Sequence, residues 1–472
     1  MTVRKMLLDG DWRESAETFA VRSPYSGETL ADVATAGEDE IERSLAAAEA
    51  AARKMRSVPR FQLARALRSI AAAIEARKDE FARTMCLEAA KPMVYSRGEV
   101  ERAIATFALA AGEAERFVGD LVPVDVQPGG RGKRARTMHI PRGVVYGITP
   151  FNFPLNLVAH KVAPALAAGN SIIIKPSPRT PLTALLLGEV FLESGLPPAA
   201  LQVVPADVKY IDRIVNDDRV DFISFTGSAQ VGWDLKNRVG KKPIALELGG
   251  NAPVVVDESA DREKSLSRTL TGAFAYSGQV CISVQRAYVH SSMFDSWTAE
   301  FVERARKLKA GDPLEESTQL SVMIDEPAAE RSASWIKEAI DNGAELLTGG
   351  NRKGALLEPT VLTKTTPEMR VVAEEVFAPV LVVERFDDFQ EAIGLANHTK
   401  YGLQAGVFSN DAAHIAEACE RLEFGGVIVN DAPIFRVDNM PYGGVKESGF
   451  GREGVRYAME EMTEVRLIVE EI

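Results

Sequence analysis

The sequence predicts an α/β protein in which two regions are each built on a parallel sheet. These regions, at about 136–248 and 252–430 of the 472-residue chain, alternate short apolar runs with segments of helical periodicity. Short strands separated by helices form βαβ units, in which helices cover both faces of a parallel sheet. The first region therefore predicts a sheet of the kind that binds nucleotides, although a fold alone does not establish a function.

Helices dominate the start of the chain. Ala-rich periodic segments predict helices over 39–55, 61–76 and 98–118, followed by a Pro- and Gly-rich loop at 120–132 and an extended run at 136–149. The first alternating region predicts strands at 171–174, 201–204, 220–225 and 244–246 and helices at 182–194, 208–215 and 229–239. The second predicts strands at 254–256, 287–289 and 427–429 and helices at 262–276 and 294–309.

Composition excludes several classes of protein. The net charge of -12 disfavours nucleic-acid and anionic-membrane partners, and no apolar run reaches the roughly 18 residues that a membrane span requires. Three cysteines, Cys86, Cys281 and Cys419, and five scattered histidines indicate neither a disulfide framework nor a metal site. Because the N-terminal residues also lack a sustained apolar stretch, we expect a cytoplasmic protein without a metal.

Two glycine patterns compete for a cofactor. Residues 449–454 match G-x-G-x-x-G, but no strand leads into them, so this match is interpreted as a decoy. Residues 225–232 follow a strand and open a helix, and backbone N–H groups at such a helix start can hold a diphosphate. The alternative for this segment is an ordinary helix with Ser228 as its N-cap.

A thiol and a carboxylate occupy turns that suit acyl chemistry. Glu247 lies in a Gly-Gly turn directly after a strand-like run, and Cys281 lies in a turn of small residues. Thiol acyl chemistry requires a nucleophile and a general base. Taken singly, a lone cysteine is most often a small core residue, and a glutamate before Gly-Gly is most often solvated.

Further polar residues follow strands, where α/β proteins bind ligands. The Asn152 amide could donate to a developing oxyanion, or the residue could form a turn before Pro154. Lys175 could reach ribose hydroxyls or be a solvated lysine at a strand end. Near the C-terminus Glu375 stands beside Phe377, and the alternative there is a surface charge.

Seven segments together resemble the aldehyde dehydrogenase family. They lie at 149–156, 175–184, 224–232, 246–253, 277–281, 374–380 and 441–454, in the family's order and spacing over essentially the whole chain. The resemblance implies a Rossmann-like cofactor domain (1–116 and 142–248), a second α/β catalytic domain (249–447) and a small β oligomerisation arm with the C-terminal segment (117–141 and 448–472). It also implies a homodimer or homotetramer that pairs through the arm and the last strand.

The resemblance assigns catalytic roles as well. Cys281 matches the nucleophile, Glu247 the general base, and Asn152 with the Cys281 backbone N–H the oxyanion hole. Lys161 and Glu453 match a proton relay that leads away from the base. The thiolate would add to an aldehyde, and the thioester formed after hydride loss would be cleaved by water that Glu247 activates. Relatives that pass the acyl group to coenzyme A lack this glutamate, so hydrolysis is expected.

Cofactor contacts follow from the same match. Lys175 and Glu375 match residues that hold the riboses, with Phe377 against the nicotinamide. Gly227 and Ser228 match the turn that holds the diphosphate, and Pro150 and Phe151 match residues beside the nicotinamide ribose. The other expected cofactor contacts are Thr149, Ser177, Pro178, Arg179 and Leu248. NAD-selective relatives carry a glutamate where this chain has Pro178, so a carboxylate that would repel a 2'-phosphate is missing. We expect NADP or NAD, with NADP preferred.

Charged side chains at the expected substrate funnel indicate the substrate. Arg102 and Arg436 match positions on its two walls, and His160 matches one usually taken by a large aromatic residue. Guanidinium groups suit carboxylates and phosphates, which predicts a small aldehyde with an anionic or hydroxylated tail. The remaining expected contacts are Phe153, Val280, Ile282 and Tyr442. The pattern around Arg436 resembles the lactaldehyde, glyceraldehyde, glyceraldehyde-3-phosphate and phosphonoacetaldehyde branches.

Several alternatives stay open at this point. Each charged residue of the funnel could be a surface or helix-capping charge. The enzyme could instead be a CoA-acylating semialdehyde dehydrogenase or a succinate-semialdehyde-type dehydrogenase, and the fold could serve a structural role without catalysis.

Overall fold

The computed structural model describes residues 3–472, which form two large sheets with helices packed on both faces, and a small antiparallel arm. The N-terminal part contains β1 (Val3–Arg4), β2 (Met6–Leu8), β3 (Asp11–Arg13), β4 (Glu17–Arg22), β5 (Thr29–Thr35), α1 (Glu38–Met55), α2 (Arg60–Ala76), α3 (Lys78–Ala89) and α4 (Met93–Arg116). The arm begins with β6 (Leu121–Val122) and β7 (Lys133–Pro141). An alternating region follows with β8 (Val144–Ile148), α5 (Asn156–Ala167), β9 (Ser171–Lys175), α6 (Leu182–Leu192), β10 (Leu201–Val203), α7 (Ile211–Val215), β11 (Phe222–Thr226), α8 (Ala229–Arg238) and β12 (Ile244–Glu247).

The remainder of the chain alternates in the same way. It contains β13 (Ala252–Val256), α9 (Arg262–Phe274), β14 (Val284–His290), α10 (Phe294–Arg306), α11 (Glu326–Asp341), β15 (Glu345–Thr348), β16 (Arg352–Lys353), β17 (Leu356–Leu357), β18 (Thr360–Thr363), α12 (Arg370–Ala373), β19 (Val380–Phe386), α13 (Phe389–Asn397), β20 (Gln404–Phe408), α14 (Ala412–Arg421) and β21 (Gly426–Val429). The chain then forms β22 (Gly449–Phe450), α15 (Val455–Glu461) and β23 (Thr463–Glu471).

The larger sheet has eight strands in the order β22-β12-β11-β8-β9-β10-β2-β3. Its central strands, from β12 to β10, run parallel. Every residue of β8 and β9 is buried, as expected for strands covered on both faces. Helices α2 to α6 pack on one face of this sheet, and α1, α7 and α8 pack on the other.

The second sheet has seven strands in the order β15-β18-β19-β14-β13-β20-β21. Its neighbouring strands run parallel except for β15 and β18. Helices α9 and α10 form one core with this sheet, and α13 and α14 form another. Two α/β layers of this kind confirm the predicted fold class.

The register of the larger sheet aligns the carboxyl ends of its strands. Ile148 at the end of β8 pairs with Lys175 at the end of β9, and Thr226 pairs with Glu247 at the ends of β11 and β12. The segments that leave these strands therefore meet along one edge of the sheet, which is where α/β proteins hold their ligands.

The arm is a three-stranded antiparallel sheet in the order β23-β7-β6. Strand β23 pairs with β7 along its whole length, from Thr463 opposite Pro141 to Glu471 opposite Lys133. Along β23 the alternate residues Val465, Leu467 and Val469 are 64%, 57% and 51% exposed. The arm therefore presents an apolar row to its surroundings.

The single extended run predicted at 136–149 was wrong. It divides into β7 of the arm and β8 of the larger sheet, and the chain turns between them at Gly143. Gly143 has a φ of 141°, and a Cβ there would lie 2.2 Å from a carboxylate oxygen of Asp221. The glycine is therefore required where the chain passes from one sheet to the other.

Several helices differ from their predicted form. The helix predicted to reach residue 276 ends at Phe274, because Tyr276 and Ser277 take left-handed φ angles of 49° and 55°. The helix predicted at 208–215 is a 3-10 turn followed by the short α7. Strands β1 to β5 and helices α3 and α5 were not predicted. Every residue of α5 is buried, so its sequence lacks the polar face by which helices are recognised.

No helix within residues 3–472 combines the length and the apolar character needed to cross a lipid bilayer.

Candidate active site

A cavity of about 310 Å³ lies at the carboxyl edge of the larger sheet, beneath the turn that carries Cys281. Ten residues predicted from the sequence line it: Pro150, Phe151, Asn152, Gly227, Ser228, Glu247, Leu248, Cys281, Glu375 and Phe377. Its wall is completed by Leu157, Thr226, Gly249, Gln279, Ile324, Ala328 and Arg331, which were not predicted. Folding thus brings together most of the expected catalytic and cofactor residues.

A strained turn presents Cys281 to this cavity. Tyr276, Ser277 and Gly278 take left-handed φ angles of 49°, 55° and 68° in succession. A Cβ on Gly278 would lie 2.1 Å from the carbonyl oxygen of Ala378, so only glycine fits there. Non-glycine residues in this conformation are held by their surroundings, here by a hydrogen bond from the Ser277 hydroxyl to Ser321 O at 2.6 Å.

The thiol of Cys281 opens to the cavity but is otherwise enclosed by protein. This burial raises the pKa of the thiol to about 11, and the nearby carboxylates of Glu375 and Glu247 act in the same direction. The hydroxyl of Tyr442 lies 3.1 Å from Sγ and opposes the shift, as does the Arg436 guanidinium. A sulfur nucleophile at this position therefore needs help to ionise.

Asn152 lies beside the thiol and is 4% exposed. Its amide nitrogen donates to the carbonyl oxygen of Gln279 at 3.0 Å, which ties the end of β8 to the Cys281 turn. A side-chain amide has two N–H donors, so one remains for an oxygen bound in the cavity. The interpretation of Asn152 as a simple turn residue does not account for this cross-link.

A buried ion pair supports Asn152 from below. Lys91 donates to the backbone carbonyl of Asn152 at 3.1 Å and to Glu99 at 2.5 Å. The other oxygen of Glu99 accepts from the backbone N–H groups of Leu155 and Asn156, both at 2.9 Å, where α5 begins. Lys91 and Glu99 are fully enclosed, so the pair fixes the loop between β8 and α5.

Glu247 ends β12 and is buried, yet neither of its carboxylate oxygens has a hydrogen-bond partner in residues 3–472. Burial raises the pKa of Glu247 well above its usual value, and the nearby charge of Glu453 adds to the effect. An unpaired carboxyl group with a raised pKa beside a thiol is suited to accepting a proton from water.

Glu453 and Lys161 are two buried charged residues whose charges act on Glu247. Lys161 Nζ lies 3.5 Å from Glu453 and donates to the hydroxyls of Ser224 and Thr226 at 2.9 and 2.7 Å. Burial alone would raise the pKa of Glu453, but Lys161 and Arg436 outweigh it and hold that pKa below its usual range. Burial lowers the pKa of Lys161. The predicted relay residues are thus brought next to the predicted base.

Two aromatic rings and a carboxylate form another part of the cavity. Phe151 and Phe377 meet edge to face with ring centroids 6.0 Å apart. Glu375 accepts from the Gly250 backbone N–H at 3.0 Å, and burial raises the pKa of its carboxyl group to about 7. The surface charge of this segment is Glu374, which pairs with Lys400 at 2.8 Å. The surface alternative therefore applies to Glu374 and not to Glu375.

The start of α8 supplies a polar edge to the cavity. Ser228 is the N-cap residue, but its hydroxyl makes no capping hydrogen bond. A Cβ on Gly227 would lie 2.6 Å from the ring of Phe225, so a side chain does not fit there, and Gly227 itself lines the cavity. The free N–H groups of a helix start and a glycine turn fit a diphosphate. The residues present thus fit the dinucleotide cofactor that the resemblance implies.

The other predicted cofactor residues lie outside this cavity. Thr149 and Lys175 are joined through their backbones at 3.2 Å, and burial lowers the pKa of Lys175. Pro178 and Arg179 line a neighbouring cavity of about 390 Å³ that shares Ile324 with the first. The hydroxyl of Ser177 accepts from the Arg179 backbone N–H at 3.2 Å.

Arg436 connects the thiol side of the site with the carboxylate side. Its guanidinium lies 3.6 Å from the centre of the Tyr442 ring and donates to Glu453 at 2.9 Å. The side chain is 6% exposed, and its buried Nε lacks a hydrogen-bond partner within the described residues. Arg436 is therefore a buried cation with one N–H donor free, which excludes its interpretation as a surface charge.

Asp438 joins the two remaining charged residues of the predicted funnel. Its carboxylate accepts from Arg102 at 2.7 Å and lies 2.7 Å from Nε2 of His160. Burial would raise the pKa of Asp438, but His160 and Arg102 hold it well below its usual range. His160 is fully buried, whereas the Arg102 side chain is 29% exposed. Arg102 thus retains contact with the surroundings.

The apolar members of the predicted funnel divide into two places. Ile282, Tyr442 and Leu403 form a small cluster against which Val280 and Cys281 pack. The ring of Phe153 lies 3.5 Å beneath the ammonium group of Lys91. Phe153 is thus part of the support under the Asn152 loop.

Lys91, Asp438 and Gln279 were missed from the sequence. Gln279 could have been found, since it stands two residues before Cys281 in the segment 277–281. Asp438 stands two residues after Arg436, but nothing in the sequence connects it with His160 or Arg102. Lys91 lies 61 positions before Asn152 and had no signal of its own. The predicted decoy at 449–454 begins with β22 on the edge of the larger sheet and carries Glu453 beside Lys161.

Comparisons with known proteins agree with this geometry. A model of the aldehyde dehydrogenase family matches residues 12–468. The 3-sulfolactaldehyde dehydrogenase of Priestia aryabhattai is 42% identical over 98% of this chain and 97% of the relative.

Solved structures agree as well. The crystal structure of aldehyde dehydrogenase 21 from Physcomitrella patens, in complex with the reaction product succinate, has a TM-score of 0.98 and 41% identity over 100% of this chain and 98% of that one. The glyceraldehyde-3-phosphate dehydrogenase GapN of Methanocaldococcus jannaschii, complexed with NADP, has a TM-score of 0.93 and 39% identity over 98% of this chain and 100% of that one. The chain therefore belongs to the aldehyde dehydrogenase family and is an NAD(P)-dependent aldehyde oxidoreductase.

Proposed function

We propose that this enzyme oxidises a small aldehyde with an anionic or hydroxylated tail to the corresponding carboxylate, with NADP as the preferred cofactor. The observation that carries the proposal is the convergence of Cys281, Asn152 and Glu247 on one cavity, with the buried cation Arg436 one side chain away. The candidate substrates are lactaldehyde, glyceraldehyde, glyceraldehyde-3-phosphate and close analogues.

Cys281 is the nucleophile of this proposal. Its thiolate adds to the carbonyl carbon, and the new oxyanion is held by the free N–H of Asn152 and the backbone N–H of Cys281. A donor of this kind contributes about 3 kcal/mol to transition-state stabilisation. Because Asn152 is fixed by Gln279 on one side and by Lys91 on the other, its donor is positioned before the substrate arrives.

Glu247 is the general base for the second half of the reaction. Loss of hydride from the adduct leaves a thioester on Cys281, and Glu247 takes a proton from the water that cleaves it. Its unpartnered oxygens leave room for that water. Glu453 and Lys161 then provide a path by which the proton leaves the cavity. Hydrolysis by Glu247 makes transfer to coenzyme A the less favoured alternative.

The cofactor binds along the edge of the larger sheet in this proposal. Gly227 and Ser228 hold the diphosphate, Lys175 and Glu375 hold the riboses, and Phe377 contacts the nicotinamide. Thr149, Pro150, Phe151, Ser177 and Leu248 complete these contacts. When bound, the nicotinamide accepts the hydride that aldehyde oxidation releases.

NADP is preferred because the ribose end of the site offers no carboxylate at residue 178. Pro178 occupies that position, and the adjacent Arg179 side chain is 58% exposed while it pairs with Asp325 at 2.6 Å. A partly exposed guanidinium can take up a 2'-phosphate in a bidentate manner. The NADP complex of the GapN enzyme supports the same preference.

The tail of the substrate lies near the two arginines. Arg436 supplies a buried positive charge against the Tyr442 ring, and it is connected through His160 and Asp438 to Arg102, whose side chain is 29% exposed. Val280, Ile282 and Tyr442 form the apolar part of the funnel, whereas Phe153 supports the Asn152 loop. The sulfonate in the name of the Priestia relative and the succinate in the Physcomitrella complex are both anionic, which supports an anionic tail.

Paired aldehydes test this proposal. Steady-state kinetics would compare glyceraldehyde-3-phosphate with glyceraldehyde, and succinate semialdehyde with butanal, each with NAD and with NADP. Glyceraldehyde-3-phosphate, glyceraldehyde and succinate semialdehyde should each have a higher kcat/KM than butanal, with NADP better than NAD. The variants Arg436→Leu and Arg102→Leu should reduce the advantage of the charged aldehydes. Equal kcat/KM values for charged and neutral members would overturn the anionic tail, and a coenzyme A dependent rate would replace hydrolysis by acyl transfer.

We propose the same organisation of the chain that the resemblance implies. Residues 1–116 and 142–248 form the cofactor domain, 249–447 the catalytic domain, and 117–141 with 448–472 the oligomerisation arm. The enzyme is a homodimer or homotetramer joined through the arm. A cytoplasmic location suits it, because a reducing compartment keeps Cys281 as a free thiol.

A further inference from the structure

The hydroxyl of Tyr442 lies 3.1 Å from Sγ of Cys281. Among the side chains of residues 3–472, Tyr442 is the one with a polar atom at hydrogen-bond distance from the Cys281 sulfur. Tyr442 is 3% exposed, and its backbone is fixed by two hydrogen bonds with Glu453, at 3.0 and 2.7 Å. The contact with the sulfur is therefore made by a residue that has little freedom to move.

The direction of this hydrogen bond depends on the state of the sulfur. A neutral thiol and a phenol can each donate to the other, whereas a thiolate can only accept. The bond becomes charge-assisted once the thiol loses its proton, and such bonds are roughly twice as strong as neutral ones. The contact therefore favours the thiolate over the thiol.

The phenol keeps its own proton in this site. Burial raises the pKa of Tyr442 well above its usual value, and the adjacent sulfur adds to that shift. Tyr442 is thus a donor and not a base, so the proton lost from Cys281 passes to water in the cavity. The Arg436 guanidinium lies 3.6 Å from the centre of the Tyr442 ring and is almost entirely enclosed. A cation on the ring face draws electron density from the phenol and strengthens its O–H as a donor.

We propose that Tyr442 is a further catalytic residue, whose hydroxyl, polarised by Arg436, donates a hydrogen bond to the Cys281 sulfur and stabilises the attacking thiolate. This inference rests on the proposed function, because it assumes that Cys281 is the nucleophile. As the bond between sulfur and the carbonyl carbon forms, negative charge moves to the carbonyl oxygen, and the hydrogen bond from Tyr442 to sulfur weakens. Tyr442 thus acts before and during attack, whereas Asn152 acts on the oxygen afterwards.

The proposal predicts opposite effects at low and high pH. A rise of one unit in thiol pKa lowers the thiolate fraction about tenfold near neutral pH, while each thiolate becomes about threefold more nucleophilic. Loss of the hydrogen bond should therefore slow reaction of the sulfur by about threefold at neutral pH. The same loss should accelerate it only above the pKa of the Cys281 thiol, about 11, where most of the sulfur is ionised.

Alkylation of the cofactor-free full-length enzyme by iodoacetamide measures this behaviour. The rate at Cys281 would be followed by peptide mass spectrometry across the neutral and alkaline range in wild type and in Tyr442→Phe. The exposed Cys419 in the same molecules serves as an internal reference for the reagent. The series extends beyond the pKa of the thiol, about 11, by brief exposure to alkaline buffer. The two Cys281 profiles should cross above that pKa, with the variant slower below the crossing and faster above it.

Tyr146→Phe is the matched control. Tyr146 is 1% exposed, and its hydroxyl has no hydrogen-bond partner among the residues described, so its loss tests only the removal of a buried phenol oxygen. This variant should leave the Cys281 profile unchanged. Arg436→Gln keeps the phenol and removes the cation, which also lowers the pKa of the thiol directly. If the cation also acts through the phenol, Arg436→Gln should shift the profile more in wild type than in the Tyr442→Phe background, and equal shifts in both would overturn the polarisation.

Coincident profiles for wild type and Tyr442→Phe would overturn the proposal. The proposal would also be overturned if the alkylation rate of Tyr442→Phe differed from that of wild type by the same factor at every pH. A constant factor would mean that the substitution changes the access of the reagent to the sulfur, which does not depend on pH. An unchanged profile in Arg436→Gln would overturn the polarisation by the guanidinium. These alkylation measurements use neither aldehyde nor cofactor. If alkylated Cys281 still supported aldehyde oxidation, the proposed function would fail while the effect of Tyr442 on the sulfur would stand.

Discussion

Among the buried carboxylates of the site, Glu247 differs from Glu453 in what surrounds it. Glu453 has Lys161 and Arg436 as partners, whereas the oxygens of Glu247 have none within residues 3–472. Two neighbouring carboxyl groups in unlike environments acquire separated pKa values, which divides the roles of base and fixed charge between them. Glu247, with the raised pKa, is the one that can take and release a proton during turnover.

We expect Glu247→Gln to stop the reaction after the acyl enzyme has formed. The amide preserves the size of the side chain but cannot deprotonate water, so the first turnover should release one reduced cofactor per active site. Steady-state turnover should then fall by about 100-fold or more. Stopped-flow absorbance of the reduced nicotinamide measures both phases. Glu374→Gln, which alters an exposed carboxylate paired with Lys400, should keep the wild-type steady state. A variant at Glu247 with full steady-state turnover would contradict the assignment.

We expect the carboxyl group of Glu375 to make cofactor binding depend on pH. Its pKa is raised to about 7 by burial, so it is largely ionised above neutral pH and becomes neutral as the pH falls through that value. An ionised carboxylate accepts hydrogen bonds from ribose hydroxyls better than the neutral acid. We expect KM for the cofactor to rise as the pH falls below about 7, the pKa that burial gives Glu375.

The variant Glu375→Gln separates this effect from other titrations. It should raise KM for the cofactor at alkaline pH and remove the change in KM around neutral pH, because the amide does not ionise. Initial rates at saturating aldehyde over a pH series measure this, with Glu374→Gln as the neighbouring control. A pH-dependent KM that persists in Glu375→Gln would assign the titration to another group.

The residues that carry chemistry differ in how far they can be predicted. Cys281, Glu247 and Asn152 stand in segments whose order along the chain indicates their roles. The contact between Tyr442 and Cys281 joins residues 161 positions apart, and that between His160 and Asp438 joins residues 278 positions apart. Such contacts depend on how the two sheets pack against each other, for which periodicity and turn residues give no signal.

At the scale of elements, the loop from β8 to α5 is fixed by charges on another helix. Lys91 precedes α4 and Glu99 lies within it, and together they hold the carbonyl of Asn152 and the first N–H groups of α5. A buried ion pair is costly to break, because removal of one partner leaves an unpaired charge. The position of Asn152, the proposed oxyanion donor, thus depends on a pair that does not line the cavity.

We expect Lys91→Met and Glu99→Gln each to destabilise the enzyme by about 3–5 kcal/mol and to lower kcat. Glu99→Gln keeps an oxygen that can accept from α5, so it removes mainly the charge. Thermal unfolding midpoints and kcat would be measured for both variants and for the double variant, which should lose less than the sum of the two. Glu316→Gln, in the exposed pair with Arg97, should change stability by less than about 1 kcal/mol. Additive losses would show that Lys91 and Glu99 act separately.

Helices and strands could be predicted where apolar residues recur along the sequence at the spacing of that element. Strand β9 appears as an apolar run and α1 as an amphipathic helix, so their bounds match the prediction within about two residues. Helix α5 was missed because all of it is buried, and the 136–149 run was misassigned because strands of two different sheets follow each other across one glycine. The turn at Tyr276 to Gly278 opposes local propensity and is imposed by the packing around it.

At the scale of the whole molecule, the arm leaves a surface that a single chain does not cover. Strand β23 is the outer strand of the three-stranded sheet, and its apolar row of Val465, Leu467 and Val469 is more than half exposed. An edge strand with an exposed apolar face is prone to pair with another chain unless charges or bulges prevent it. The simplest cover is the same arm on a second copy, arranged about a twofold axis.

We therefore expect Leu467→Lys to reduce the assembly state of the enzyme. A lysine in the middle of the apolar row would place an unpaired charge in the interface, while β23 could still pair with β7 within its own chain. Light scattering coupled to gel filtration should give a dimer or tetramer for wild type and a smaller mass for the variant. Arg466→Lys, on the opposite face of the same strand, should retain the wild-type mass. Because Cys281 opens to a cavity lined by residues of its own chain, we expect the dissociated variant still to be alkylated at Cys281. A monomeric wild type, or a variant of unchanged mass, would show that the arm does not join the subunits.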